Sequence, residues 1–312
     1  MQPAIPGTDI VYDPERYRRF SERMVMFSRR YWDASSDAYR KNLFGKPHRF
    51  IDAGRDGFTH PHFAAALAGW TVYDGFDGAF GDGRIALDGD SGLIEPTRIE
   101  VTDRAAMTRR VKEAARLYGA SLVGVAEVDE KWIYTHDRDD RPIDLGEGID
   151  RCVVMAIEMD YDGLRRSPSL AAGIRTGGGY SRMAMAQACL GQFIRNLGYR
   201  AIACGNDTGM SVPLAVAAGL GEVGRNGILI TREFGPRVRL CKVFTDLPLV
   251  PDRPIDIGVR RFCEVCKRCA EECPSRSIPR GEPAMEGPTE SNADGVMKWR
   301  VNPETCYRYW IR

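Results

Sequence analysis

A run of four cysteines limits what this chain can become more than any other feature. Cys263, Cys266, Cys269 and Cys273 lie in CEVCKRCAEECP, with the spacing C-x2-C-x2-C-x3-C-P. Thiolates at that spacing hold iron–sulfur clusters. Three sulfurs two residues apart wrap one face of a cubane, and the fourth, on the turn that follows, reaches a second cluster. A zinc site or a disulfide pair is the competing reading, and Pro274 directly after the last cysteine counts against both. Single-electron chemistry is therefore the first expectation. Two clusters with four cysteine ligands each need more thiolates than follow Pro274, where the chain offers only Cys306 before Arg312. VNPETCYRYWIR reads as the opening of a second motif, either of a truncated chain or of a degenerate one.

At 312 residues and 43% hydrophobic content, the chain can build one large domain and a small one around a real core. A net charge of +1 argues against nucleic acid as the main partner. Cys152, Cys189, Cys204 and Cys241 lie in apolar stretches and read as buried thiols, not as a disulfide framework. No stretch approaches the roughly 18 apolar residues of a membrane span. Arg29-Arg30 in FSRRYWD has the form of a twin-arginine export signal, but DASSDAYRKN stands where an apolar segment would have to follow. The location expected from this chain is the cytoplasm; a mature periplasmic or membrane-associated form would read the same way.

Along the chain, Arg, Tyr and Met crowd residues 15–32, which reads as an amphipathic helix. Gly and Asp dominate from Asp74 to Gly92, with the ligand spacing of an EF-hand missing, so a solvated loop is expected. His60 and His62 read as surface residues. From Thr102 the pattern sharpens. Thr102 or Asp103 caps a helix with Met107, Val111, Ala114 and Tyr118 on one face, closed by Gly119. SLVGVAEV reads as a strand and CVVMAIEM (152–159) as a fully buried one. The loop TGGGY then leads into a helix beginning near Ser181, with Met183, Gln187, Leu190, Ile194 and Leu197 as its stripe. AIAC is a strand, SVPLAVAAGLG a small-residue helix and 238–250 a strand. Alternating helices and strands predict an α+β class, an α/β sandwich around one sheet. Pro248, Pro251 and Pro254 mark a linker, giving a looped N-terminal region over 1–104, a core over 105–250 and a cysteine module over 251–312.

Gly177, Gly178 and Gly179, with Met183 beyond them, form one glycine-rich turn, and Gly219, Gly221 and Gly224 another. Neither is a dinucleotide fingerprint. A flexible loop is the plain reading of each; two such turns in one domain also fit a large flat cofactor lying against backbone.

Three stretches carry a more specific likeness. GGYSRMAMAQACLGQFIRNLGYRAIACGN, AGLGEVGRNGILITREFGPRVRLCKVFTDLPLVPDRPIDIGV and FCEVCKRCAEECPSRSI resemble, in order and spacing over roughly 105–312, a corrinoid-dependent reductive dehalogenase. The resemblance implies a nitroreductase-like corrinoid-binding core followed by a partial ferredoxin-like module. It also implies cobalamin or a related corrinoid and, in a complete family member, two [4Fe–4S] clusters held by cysteines such as Cys263, Cys266, Cys269, Cys273 and Cys306. Tyr180 resembles the family's proton donor, Arg239 the cation that stabilises its phenolate, and Asn206 a polar group lining the substrate pocket. The reaction so implied cleaves a carbon–halogen bond of an organohalide through a Co(I) corrinoid, with electrons from the clusters and a proton from Tyr180. Implied partners are a small organohalide, an electron donor such as a ferredoxin, flavodoxin or quinol-linked protein, and a membrane-anchor protein. An epoxyqueuosine reductase, which acts on tRNA and shares AGLG, GRNG and TDLPL, is the alternative. A truncated, non-catalytic corrinoid or iron–sulfur protein is another.

Overall fold

Six consecutive residues, Cys152 to Ile157, have no exposed surface, so the strand that they form has to be covered on both faces. The computed structural model describes residues 10–41, 47–75 and 94–311. Its elements begin with β1 (Val11–Tyr12), α1 (Met26–Trp32), α2 (Pro47–Asp52), α3 (His60–Ala68), α4 (Thr71–Gly75) and α5 (Arg104–Leu117). The central part holds β2 (Leu122–Glu127), β3 (Arg151–Glu158), α6 (Tyr161–Leu164), α7 (Leu170–Arg195), β4 (Ala201–Cys204), α8 (Ser211–Ala217), β5 (Glu222–Val223), β6 (Leu229–Ile230) and β7 (Val238–Thr245). Then come α9 (Val259–Val265), α10 (Arg268–Glu271), β8 (Val296–Met297) and α11 (Pro303–Trp310).

The main sheet has the order β2-β3-β7-β4 and is antiparallel throughout. Alternation along β3 sends Val153, Met155 and Ile157 into a core shared with α5 and α7. Cys152, Val154 and Ala156 enter a second core with Leu214 and Val216 of α8, Trp132 and Phe244. This is the helix–sheet–helix layering expected of the α+β class. Asp103 caps α5 by accepting the Ala106 N–H at 2.9 Å, and Gly119 takes a φ of +101° just beyond it. Gly124 lets β2 approach α8: a Cβ there would stand 2.1 Å from the Ala218 carbonyl oxygen.

Two expectations need correction. Residues 15–32 do not form one helix; they hold a single 3-10 turn, Glu22–Met24, and then α1. The reason is that the backbone bonds elsewhere: the Phe20 carbonyl accepts the Thr135 N–H at 2.9 Å and the Glu22 N–H donates to the His136 carbonyl at 2.9 Å, which a continuous helix does not allow. Nor is TGGGY a loop leading to a helix at Ser181. α7 starts at Leu170 and runs 26 residues, about 39 Å, with all three glycines inside it. Glycine costs a helix interior about 0.5–1 kcal/mol relative to alanine, and here tight contacts require it. A Cβ on Gly177 would meet the Trp70 indole at 2.7 Å, and one on Gly179 would meet Arg239 and Met159 at 3.2 Å. Of the Gly/Asp-rich stretch, residues 76–92 lie outside the described residues.

The two ends of the chain are fastened together. β1 pairs antiparallel with β8. Arg29, buried on α1, bonds Asp33, Ser291 at 3.1 Å and Glu304 at 2.7 Å. Arg30 donates to the Tyr307 hydroxyl at 2.8 Å. The pair that resembled an export motif is thus an anchor for α11. Cys152, Cys204 and Cys241 are buried and Cys189 half-buried; all nine cysteines are free. Among the described residues no helix is long and apolar enough to cross a membrane.

The Gly124 contact is testable. Gly124→Ala drives a methyl into the α8 backbone, and overpacking of this kind costs about 1–3 kcal/mol. Urea denaturation should show a lower midpoint with an unchanged slope.

Candidate active site

A cavity of about 420 Å³ opens between the sheet and the C-terminal module. Its wall carries Tyr73, Tyr134, Tyr180, Asn206 and Asp207, together with Val223, Gly227, Met297 and Trp299. Aromatic and aliphatic surface dominates, with a few polar groups between, as in a site for a small, largely apolar ligand.

Three residues distant in sequence meet at Tyr180. Tyr180 projects from the middle of α7, Asn206 follows β4, and Arg239 lies on β7, the strand between β3 and β4. The Asn206 side-chain amide donates to the Tyr180 hydroxyl at 2.9 Å, and the Arg239 guanidinium donates to the same oxygen at 3.3 Å while lying 4.8 Å from the ring centroid. Trp70 stacks on the other side of the ring, with centroids 4.6 Å apart and planes 25° off parallel. Tyr73 closes a third side at 5.1 Å. The glycines of α7 make this possible: Gly177 admits the Trp70 indole and Gly179 admits the Arg239 side chain.

The structure therefore brings Tyr180, Arg239 and Asn206 together. It does not bring Gly177, Gly178, Gly179, Met183, Gly219, Gly221 or Gly224 to the cavity wall. Met183 is fully buried in the core. Gly221 lies where a Cβ would be 2.2 Å from the Ile230 carbonyl oxygen, so it serves the β5–β6 approach. Sequence reasoning missed Trp70 and Tyr73, which sit in the region given no role. An aromatic pair three residues apart, ahead of a cysteine-free glycine stretch, was the available signal.

Beside the tyrosine is a set of buried ionisable groups. Asp207 accepts from the Gly205 N–H at 2.7 Å and the Thr208 hydroxyl at 2.9 Å, and burial pushes its carboxyl up against the pull of Lys242. The Lys242 ammonium, fully buried, donates to the Gly205 carbonyl at 2.6 Å and to Ser211 at 3.2 Å. Glu22 lines the cavity next to them. Burial first, and then the negative charge of Asp207, push its carboxyl up to about 8. Tyr73 is likewise raised well above its ordinary value, by burial and then by Tyr180.

Among the described residues no three His, Cys, Asp or Glu side chains gather tightly enough for a single metal ion. A cubane holds its sulfurs wider apart than one ion does, and the cysteines divide accordingly. Cys269 is raised by burial and by the nearby Cys263 and Cys266. Cys306 is raised by burial and by Cys273. Cys273 itself feels burial, but the Ser275 hydroxyl and the backbone N–H groups of Ile278, Ser277 and Ser275 outweigh it and lower the thiol. The Cys263 sulfur accepts the Arg225 backbone N–H at 3.4 Å. Soft sulfur donors in two groups, met by N–H donors at Cys263 and Cys273, are of the kind that ligate iron–sulfur clusters once deprotonated.

No family model matches the chain. Over 241 residues it is 40% identical to a tetrachloroethene reductive dehalogenase of Sulfurospirillum multivorans, a match covering 68% of this chain and 48% of the relative. The chain thus spans about half the length of the curated relatives it matches. A reductive dehalogenase whose structure suggests a mechanism for B12-dependent dehalogenation superposes with a TM-score of 0.71 at 23% identity, covering 97% of this chain and 40% of that one. A catabolic reductive dehalogenase in complex with 3-bromo-4-hydroxybenzoic acid superposes at 0.68, also at 23% identity, with the same coverage of both chains. These likenesses show the fold.

Glu22 gives a pH prediction. A carboxyl kept neutral in the fold and ionised on unfolding favours the fold at low pH. That contribution is full below its ordinary value of 4.5 and lost as pH rises through about 8. Glu22→Gln removes the dependence. Denaturation at intervals from about pH 5 to about pH 8 should show wild type losing stability relative to Glu22→Gln as pH rises.

Proposed function

The chain belongs to the reductive dehalogenase family, and from that premise we propose that it forms the proton-delivering, electron-receiving part of an enzyme that removes halogen from a small organohalide. The observation that carries the reading is the hydrogen bonding at the Tyr180 oxygen. Asn206 and Arg239 both donate to it. With its lone pairs so engaged, the phenol must point its own proton elsewhere, and the cavity lies beside it. Once that proton leaves, the oxygen keeps both donors and gains the full attraction of the guanidinium. Trp70 and Tyr73 hold the ring in place, so no reorganisation accompanies the transfer.

The overall change is RX + 2e⁻ + H⁺ → RH + X⁻, and Tyr180 supplies the proton to carbon. A corrinoid, when bound, supplies the cobalt redox chemistry that breaks the carbon–halogen bond, and iron–sulfur clusters deliver its electrons. Cys263, Cys266 and Cys269 would hold one cluster, with Cys273 and Cys306 contributing to a second. Val223, Gly227, Met297 and Trp299 line the same cavity as Tyr180 and would face the corrinoid. On this reading residues 105–250 are a nitroreductase-like core and 251–312 part of a ferredoxin-like module. The aromatic walls exclude water and suit an apolar substrate. An external donor such as a ferredoxin, flavodoxin or quinol-linked protein would complete the electron path. The epoxyqueuosine reductase alternative is less favoured, because it calls for an acidic donor where Tyr180 stands.

Tyr180→Phe keeps the ring and removes the oxygen. In protein reconstituted anaerobically with clusters and cobalamin, it should lower dehalogenation at least about 10²-fold with iron and cobalt contents unchanged. Retention of more than about a tenth of the activity would mean that the proton comes from another group. Hydroxocobalamin taken up by the same protein should show a base-off spectrum.

A further inference from the structure

Arg225 is only 1% exposed, and its partners are unusual for a buried cation. Its guanidinium donates to the Cys263 carbonyl at 3.1 and 2.8 Å, to Pro279 at 3.0 Å and to Gly281 at 2.7 Å. Its flat face lies 4.6 Å from the Trp299 ring, whose indole N–H bonds the same Gly281 carbonyl at 3.1 Å. Every one of these acceptors is neutral, and among the described residues no carboxylate forms an ion pair with it. Carbonyl dipoles satisfy its donors but leave a full positive charge in a low-dielectric interior, which is costly unless an anion is near. The Arg225 backbone N–H points at the Cys263 sulfur at 3.4 Å, while the guanidinium grips the carbonyl of that same cysteine.

We propose that Arg225 is the fixed counter-charge of the cluster seeded by Cys263, Cys266 and Cys269 and that it raises that cluster's reduction potential. The inference rests on the reading of the cysteine run as an iron–sulfur site. A thiolate-ligated cluster is anionic, and one-electron reduction adds a further negative charge. A buried cation stabilises the reduced state more than the oxidised one, because the attraction grows with the charge while the cation's own burial cost is the same in both. The backbone N–H at the Cys263 sulfur acts in the same direction. Arg225 follows Gly224 in the turn between β5 and β6, whose Glu222, Val223 and Gly227 line the cavity. One turn therefore borders both the proposed reaction space and the proposed electron source. Trp299 completes the arrangement by covering the guanidinium and lining the same cavity.

The test separates charge from structural support. Wild type, Arg225→Gln and Arg225→Lys are reconstituted anaerobically with iron and sulfide, and the cluster is titrated potentiometrically by electron paramagnetic resonance. Gln is neutral and keeps part of the hydrogen bonding; Lys keeps the charge and gives up the fork. The expected result is a clearly more negative midpoint for Arg225→Gln, a midpoint near wild type for Arg225→Lys, and equal iron contents. Equal midpoints for wild type and Arg225→Gln at equal iron would overturn the proposal, as would equal shifts in both variants. If Arg225→Gln retains no iron, Arg225→Lys decides: a cluster titrating near wild type supports the charge role, and loss of iron there too, or a shifted midpoint, overturns it. Wild type that assembles no cluster would instead bring down the iron–sulfur reading, and this proposal with it.

Discussion

The two hydrogen bonds that converge on the Tyr180 oxygen, from Asn206 and Arg239, depend on an approach between elements that ordinary side chains would prevent. Arg239 reaches the phenol from the sheet only because Gly179 leaves its Cγ room, and Trp70 stacks on the ring only because Gly177 has no Cβ. The glycines in α7 thus weaken the helix locally so that it can pass close to its neighbours. Compensation comes from the core: Met183, Leu190 and Ile194, farther along the same helix, are fully buried against the sheet. Stability is concentrated at the C-terminal part of α7 and close approach at its middle, the separation expected where a site is built into a rigid element.

A second constraint is that the module bearing the cysteines has little core of its own. Val259–Val265 contains no buried residue, and Phe262 and Val265 are exposed. What holds the module is polar and comes from elsewhere. Glu222, buried on β5, accepts the backbone N–H groups of Ile257 and Val259, which fastens the entry to α9. Arg225 clasps the carbonyls of Cys263, Pro279 and Gly281. Arg29 and Arg30 hold α11 from the N-terminal side. Buried charges of this kind contribute specificity of placement more than net stability, because desolvation offsets much of their attraction. For cysteines that must meet a rigid cluster, placement is the property that matters.

The ionisable groups around the cavity follow the same economy. Lys242 is a buried ammonium facing Asp207, Glu22 and the thiols of Cys152, Cys204 and Cys241. Burial, and after it the negative charge of Asp207, outweighs the pull of Lys242, so Glu22 stays neutral up to about 8. The wall next to Tyr180 therefore carries less negative charge than its composition implies, which favours an apolar or weakly polar occupant over a cation.

Periodicity and motif spacing were enough to specify the sheet strands, the helix from Arg104, the α+β class and the cysteine run, because each depends on local alternation or on fixed sequence offsets. The likeness of YSRM, ACGN and EFGPRVRL to one family also singled out Tyr180, Asn206 and Arg239 before any contact was known. The glycine triplet was misjudged for a physical reason. Local propensity treats three glycines as a helix breaker, whereas Trp70, Met159 and Arg239, none adjacent in sequence, decide that a helix with glycines is the better solution. The roles of Trp70, Tyr73, Glu22 and Arg225 were likewise beyond the sequence. Burial, charge compensation and stacking arise between residues far apart in the chain, and only the tertiary structure brings them within reach.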